Sequence, residues 1–262
     1  MGFFKSKPPT PTTELPIYIF TAGRSCSEYV DKCLTSVLNQ NYSNYKHIVV
    51  DDDSTDGTAD IAQQLTKDSP NHTIIAGDQR RFWTGNACEF LKPNDDDIVV
   101  TLDLDDWLAH DNVLATINAI YQHHQCWLTY GSYKHATPNV RSDVRDPFPK
   151  KVLKDRSFRE YKWLASHLRT FKGFLWNNLN PQQALLDENG NLAKMAWDLG
   201  IMFPMMEMCP PGKIHFVKEQ LYIYNDLNPL NDHKVDRSAQ IRTENHFRSL
   251  PKYSVLDAEQ YA

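Results

Sequence analysis

The sequence predicts an α/β protein built on an open, mostly parallel sheet with flanking helices. Three observations predict it. Short apolar runs alternate with amphipathic stretches from residue 16 to about residue 132, and two of those runs end in clusters of aspartate. The chain is also 41% hydrophobic and 23% charged, the balance of a protein that buries a core. Strands separated by single helices imply parallel pairing with right-handed crossovers. In such sheets ligands bind outside the carboxyl ends of the strands, where both acidic clusters fall.

Residues 1–15, rich in Pro and Thr, read as a flexible N-terminal tail. Met1 to Ser6 formally fits the N-myristoylation pattern, but the bulky Phe3 directly after Gly2 disfavours it. Ile17 to Phe20 is a first strand, and Thr21-Ala22-Gly23 its exit loop. Val30, Cys33, Leu34, Val37 and Leu38 recur at helical spacing. His47 to Val50 is a second strand closed by Asp51-Asp52-Asp53, and Ser54, Thr55 and Asp56 supply capping oxygens for a helix to about Lys67. Thr73 to Ala76 and Ile98 to Leu102 are the third and fourth strands. Asp95-Asp96-Asp97 precedes its strand and reads as a solvated turn at the wrong end of the sheet. Val113, Leu114, Ile117, Ile120 and Tyr121 mark another helix, and Trp127 to Tyr130 another strand.

Beyond residue 132 the alternation fails. Residues 136–160, with Pro138, Pro147 and Pro149, read as an extended excursion. Leu199 to Met208 is helix-like but interrupted by Pro204, and Ile214 to Val217 with Leu221 to Tyr224 suggests a small antiparallel closing strand pair. The expected organisation is one domain over 16–233, followed by a polar C-terminal helix or tail over 234–262.

Composition excludes several classes. Lys plus Arg total 28 against 33 for Asp plus Glu, a net charge of −5, which argues against nucleic acid and anionic membrane as partners. No apolar run reaches the length of a membrane span, and the first thirty residues lack a signal-peptide core. The five cysteines are scattered without a C-x-x-C, which suits reduced thiols, no zinc site and a cytoplasmic location.

The chemistry gathers at the strand ends. Alternation in Val99 to Asp106 puts Asp103 and Asp105 on one side and Leu104 on the other. Two such carboxylates repel each other unless a cation neutralises them, and hard oxygen ligands suit Mg²⁺ or Mn²⁺. Asp106 is placed to cap the next helix. In the second cluster a carboxylate can accept from a nucleobase N–H, and the following helix start offers donors to anions. Capping by Ser54 or Asp56 leaves Asp51 and Asp52 unexplained.

Thr21-Ala22-Gly23-Arg24, Leu38-Asn39-Gln40, VVDDDSTDGT, LDLDDW, TYGSY, SHLRTF, Trp197 to Met208 and YNDLNPLND follow one another in that order. With these motifs the chain resembles inverting glycosyltransferases of family two, over most of residues 16–233. The resemblance implies a Rossmann-like nucleotide-sugar transferase (A-type) fold. It implies nucleoside binding by Thr21, Arg24 and Asp52, with Asp51 as a substitute, and donor framing by Asn86. Gly85 stands where that family commonly has Arg, so Arg80 or Arg81 would compensate. Asp103 and Asp105 would hold Mn²⁺ or Mg²⁺ and reach the ribose, with His233 as a candidate third ligand. Asp198 would be the base that deprotonates the acceptor, with Glu207 as the fallback. His167, Arg169 and Trp107 would contact the acceptor or the diphosphate.

The expected activity is metal-dependent, inverting transfer of a sugar from a nucleoside diphosphate, foremost a UDP-sugar, to a glycan or other hydroxyl acceptor. Two alternatives stand beside it. A nucleotidyltransferase acting on sugar phosphates would need a Gly- and basic-rich loop after the first strand, and Thr21 to Ser25 has one Gly and one Arg. A nucleotide- or carbohydrate-binding module without catalysis would have no use for acids at both Asp105 and Asp198.

Overall fold

The computed structural model describes residues 13–142 and 145–261, without the side chains of Gln182, Asp232 and His233. The lipidation pattern at residues 1–6 and the His233 side chain therefore lie outside the described residues. The first half alternates as β1 (Ile17–Gly23), α1 (Val30–Leu38), β2 (Tyr45–Asp51), α2 (Thr58–Thr66), β3 (His72–Ala76), α3 (Phe82–Phe90), β4 (Ile98–Asp103), β5 (Trp107–Leu108), α4 (Val113–His124), β6 (Leu128–Gly131) and β7 (Lys134–His135). The second half runs α5 (Lys150–Asp155), β8 (Ser166–Lys172), α6 (Gly173–Asn177), α7 (Pro181–Ala184), α8 (Trp197–Met208), β9 (Ile214–Val217), β10 (Tyr222–Tyr224), α9 (Asp232–Val235) and α10 (Arg237–Ser249).

A seven-stranded sheet has the order β3-β2-β1-β4-β8-β6-β9. β1 to β4 are parallel, β8 is antiparallel to β4 and β6, and β9 is parallel to β6. This is the expected α/β class. Period-two alternation sends Tyr18, Phe20, Ile48, Val50 and Val99 into one core and Ile17, Ile19, Val49, Ile98 and Val100 into the other. α3, α6 and α8 cover the first face; α1 and α4 cover the second.

Three expectations need correction. The segments 214–217 and 221–224 are strands, but they do not pair with each other. β9 extends the main sheet, whereas β10 joins β5 antiparallel and β7 parallel in a separate three-stranded sheet. Pro204 does not interrupt α8, which is buried from Leu199 to Met208 and held by packing on all sides. Asp97 is not solvated: it is 7% exposed, and its carboxylate accepts from the Asn94 amide at 2.7 Å to close the turn before β4.

Glu207, the fallback base, is also corrected here. Its carboxylate is fully buried in α8 and takes Arg159 Nε at 2.7 Å, Arg159 Nη2 at 2.9 Å and the Tyr253 amide at 3.1 Å. Arg159 in turn donates to the Phe247 carbonyl, and Phe247 of α10 is itself in the core. The residues beyond 234 are thereby tied to α8. Removing one partner of a buried ion pair strands the other charge. Glu207→Ala is expected to lower the unfolding free energy by about 3–5 kcal/mol, measured by urea denaturation, with the far-ultraviolet spectrum of the folded baseline unchanged.

Candidate active site

The carboxyl ends of β1, β2 and β4 open into a cleft of about 470 Å³. Ala22 to Cys26 form one side, with Asp52 and the start of α3 beside them. Asp103, Asp105 and Asp106 lie beneath, and Lys194 to Asp198 form the facing wall. β8 contributes His167 and Arg169, and Asn228, Leu230, Asn231 and Val235 close the rim.

The acids at the end of β4 are held by residues from far along the chain. Leu104 is fully buried in the core on the α1 side, so it faces away from the cleft as alternation predicts. β1 must pass close to it: a Cβ on Gly23 would sit 2.5 Å from Leu104 Cβ, which only glycine avoids. Asp105 Oδ2 accepts from Asn228 Nδ2 at 2.6 Å. Asp106, 1% exposed, accepts from Tyr222 Oη and from the Asn225 amide, each at 2.6 Å. It caps no helix. Burial pushes the Asp105 carboxyl up, and burial followed by repulsion from Asp105 and Asp103 pushes Asp106 well above the usual range. One oxygen each of Asp103 and Asp106 and a ring nitrogen of His167 lie within 4.8 Å of one another. Crowded negative charge on oxygen donors is chemistry that fits a hard divalent cation.

Asp52 borders the cleft, but both its oxygens serve α3. Oδ1 accepts from the Arg81 amide (2.6 Å) and Asn86 Nδ2 (2.9 Å), and Oδ2 from the Phe82 amide (2.9 Å). It thus satisfies amides that a helix start leaves unpaired. Asp51 turns aside to the hydroxyl and amide of Ser54. Thr21 is not at the cleft. It is fully buried on the opposite face of β1, where its hydroxyl shares a 2.9 Å hydrogen bond with His47 Nε2. Arg24 is at the cleft, exposed, with Nε donating to the Asp53 carbonyl at 3.2 Å. Arg81 is engaged by Asp78 and Glu89, each at 2.9 Å, so of the two neighbouring arginines only Arg80 lines the cleft. Trp107 is absent from the described cleft lining. Its place in β5 puts it in the small sheet, 5.0 Å from the Lys32 ammonium.

Asp198 stands in the first turn of α8, and Arg169 Nη2 donates to its Oδ2 at 2.8 Å. Arg169 is anchored by Nε to the Ala165 carbonyl at 3.1 Å and lies 5.4 Å over the Trp197 ring. His167, 9% exposed, stacks on Tyr222 at 4.3 Å. Burial, followed by the neighbouring Arg169 cation, holds its imidazole well below the usual range and therefore neutral at pH 7.

Several cleft residues carry no motif signal. Lys194 lies 5.3 Å and Arg80 4.2 Å from the Phe82 ring, so two cations from distant segments meet at one spot. Trp83 and Trp197 stack at 3.7 Å across the cleft wall. Asn225 and Asn228 fall in the YNDLNPLND motif, without a role assigned to either, and Tyr222 of β10 lies just before it. Ser25, Asp53, Phe82 and Ala196 hold φ of 56°, 62°, 58° and 53° without being glycine. Three of these line the cleft and Asp53 adjoins it, which is where strained backbone gathers around sites.

A crossover sheet with acids and cations at one carboxyl-end cleft is the architecture of a nucleotide-binding α/β enzyme. The family model for glycosyl transferase family 2 matches residues 17–175. The chain belongs to that family, and its domain is a glycosyltransferase domain. It is 28% identical over 123 residues to Glycosyltransferase GlyA of Streptococcus pneumoniae, over 47% of this chain and 16% of GlyA. S. aureus TarS 1–349 in complex with UDP has the same fold, with a TM-score of 0.60 at 15% identity over 82% of this chain and 61% of that one. A mannosyltransferase from Pyrobaculum calidifontis in complex with GDP-Man and Mn²⁺ gives 0.53 at 17%, over 82% of this chain and 58% of that one. The chain thus spans less than two thirds of each.

Thr21 is expected to matter for stability rather than for ligand. Thr21→Val would leave both His47 ring nitrogens without a partner, because Nδ1 already lacks one. The expected loss is about 1–2 kcal/mol of unfolding free energy, with UDP affinity by calorimetry unchanged within about twofold.

Proposed function

We propose that this chain transfers a sugar from a nucleoside diphosphate to an acceptor hydroxyl with inversion at the anomeric carbon. The observation that carries the reading is that Asp103, Asp105 and Asp198 open into one cavity at the strand ends. The complexes of TarS with UDP and of the mannosyltransferase with GDP-Man and Mn²⁺ support a nucleotide-sugar donor and a divalent cation. A UDP-sugar is the donor we favour.

Arg24, Arg80 and Lys194 are the cleft cations available to the diphosphate, and the arginines suit its oxygens through their forked donors. Asp52 orders the start of α3 beside the nucleoside. Asp103 and Asp105 would hold Mn²⁺ or Mg²⁺, with Asp106 and His167, which group with Asp103, as further candidate ligands. Bound there, the cation supplies Lewis-acid neutralisation of charge on the departing diphosphate.

Asp198 accepts the proton of the attacking hydroxyl. Arg169 donates to Oδ2 and so holds the Asp198 carboxylate, which lines the cleft. Because the base comes from α8 and the cation from the end of β4, attack and departure draw on different walls of the cleft. His167, neutral and stacked on Tyr222, packs beside Arg169 and keeps that arginine in register.

The test is release of UDP from a panel of UDP-sugars in Mn²⁺ with candidate acceptors, and the anomeric configuration of the product by NMR. An inverted product supports the reading. Pyrophosphate release from UTP plus a sugar phosphate would instead favour the nucleotidyltransferase, and tight donor binding without turnover on any acceptor a binding module. Asp198→Asn is expected to lower kcat about 10²- to 10⁴-fold while leaving donor KM within about threefold. Asp105→Asn is expected to remove the response of turnover to added Mn²⁺.

A further inference from the structure

Two buried polar atoms at the cleft have no partner in the protein. Trp83 is 8% exposed and Asn86 1% exposed, yet Trp83 Nε1 and Asn86 Oδ1 each lack a hydrogen bond, and both residues line the cleft. Leaving a buried donor or acceptor unmade is costly, so such atoms point to a ligand that completes them. Neither atom is loosely held. The Asn86 amide is fixed by Nδ2 donating to Asp52, which sets the direction of Oδ1. The Trp83 ring is clamped by Trp197 stacked at 3.7 Å with planes 9° apart, and by Phe20 edge-on at 5.7 Å. The hydroxyl of Thr84, the next residue, donates to the Ala193 carbonyl at 2.7 Å, tying α3 to the loop that leads into α8.

Trp83 and Asn86 are three residues apart on α3, so they project from one helix face. One offers a donor and the other an acceptor. A hydroxyl, which donates and accepts, suits both; a phosphate oxygen suits only the indole. The position along the cleft also separates the two. Asn86 sits against Asp52, at the nucleoside side, whereas Trp83 reaches across to Trp197, whose neighbour is Asp198. The Trp83 ring therefore stands on the side of the cleft where, on the sugar-transfer reading, the transferred sugar would meet the base.

We propose that the Trp83 indole N–H is a specificity contact to a hydroxyl of the transferred sugar, with Asn86 Oδ1 left to the nucleoside side of the donor. The inference rests on the sugar-transfer reading above and deepens it. It assigns recognition of the sugar to a residue outside the acid motifs. A donor lacking the matching hydroxyl would leave the indole N–H buried and unpaired, and such sites discriminate strongly against the deficient analogue.

The experiment is calorimetry on the full chain in Mn²⁺. The ligands are UDP and whichever of UDP-glucose, UDP-galactose and UDP-N-acetylglucosamine the unmodified protein binds tightest. Trp83→Phe keeps a ring against Trp197 and removes only the N–H. It is expected to weaken the UDP-sugar roughly 5- to 50-fold and to leave UDP within about twofold. Equal weakening of both ligands, or of neither, overturns the assignment. Monodeoxy analogues of the same donor on the unmodified protein read the contact without any substitution. At least one should bind about tenfold or more weakly, and a series that binds as well as the parent overturns it. An unmodified protein that binds none of the ligands sinks the sugar-transfer reading together with this inference. Normal binding with an indifferent Trp83→Phe sinks this inference alone.

Discussion

Three carboxylates at the tip of one buried strand repel one another, and the rest of the site is arranged around that repulsion. Asp103 ends β4, Asp105 and Asp106 follow it, and burial raises the cost of keeping Asp105 and Asp106 charged. The late chain answers part of that cost. Tyr222 and the Asn225 amide engage Asp106, and Asn228 engages Asp105. These donors arrive because β10 pairs with β5, immediately after the acids, instead of with β9. The small sheet is thus the device that carries residues 222–228 under the cleft. What the donors leave uncompensated is the charge that a divalent ion would balance.

The opposite wall is built on a similar economy. Asp52 orders the start of α3, and Arg169 holds Asp198 at the start of α8. The Trp83–Trp197 stack and the Thr84–Ala193 hydrogen bond join the two helix starts. Strained backbone at Phe82 and Ala196 sits at those same starts, a cost of about 1–3 kcal/mol per residue that the surrounding packing must overcome. Walls joined in this way suit the transfer proposed above, in which a donor sugar is held in line with a base.

The parallel half of the sheet was legible in the sequence because its strands are short apolar runs, with α1 and α4 marked by helical spacing and α2 by its capping residues, whereas α3 carries no such signal and was not legible. Asp103, Asp105 and Arg24 reach the cleft for the same reason, because strand ends sit at predictable places, whereas Asn86, His167, Arg169 and Asp198, which also line it, were legible only through the family resemblance. Alternation on β1 turns Thr21 toward His47, one residue out of phase with the cleft-lining Ala22. Glu207 shares a helix with Asp198, but that helix is buried on every side, so periodicity could not separate a cleft face from a core face. Asp106 looked like a cap because its partners lie more than a hundred residues away. The same distance hides Lys194, the contact of Asn228 with Asp105 and the stacking of Trp83 on Trp197. The antiparallel β8 carries His167 and Arg169, yet its place between β4 and β6 is a matter of long-range pairing that no local pattern records.

On the proposed reading, the acids at the end of β4 would hold a divalent ion against the donor diphosphate. The most direct measurement is UDP affinity by calorimetry in Mn²⁺ and, separately, in EDTA. The account predicts binding at least about tenfold tighter with Mn²⁺, as expected when an ion bridges protein carboxylates and phosphate oxygens. Equal affinity in the two conditions would contradict it.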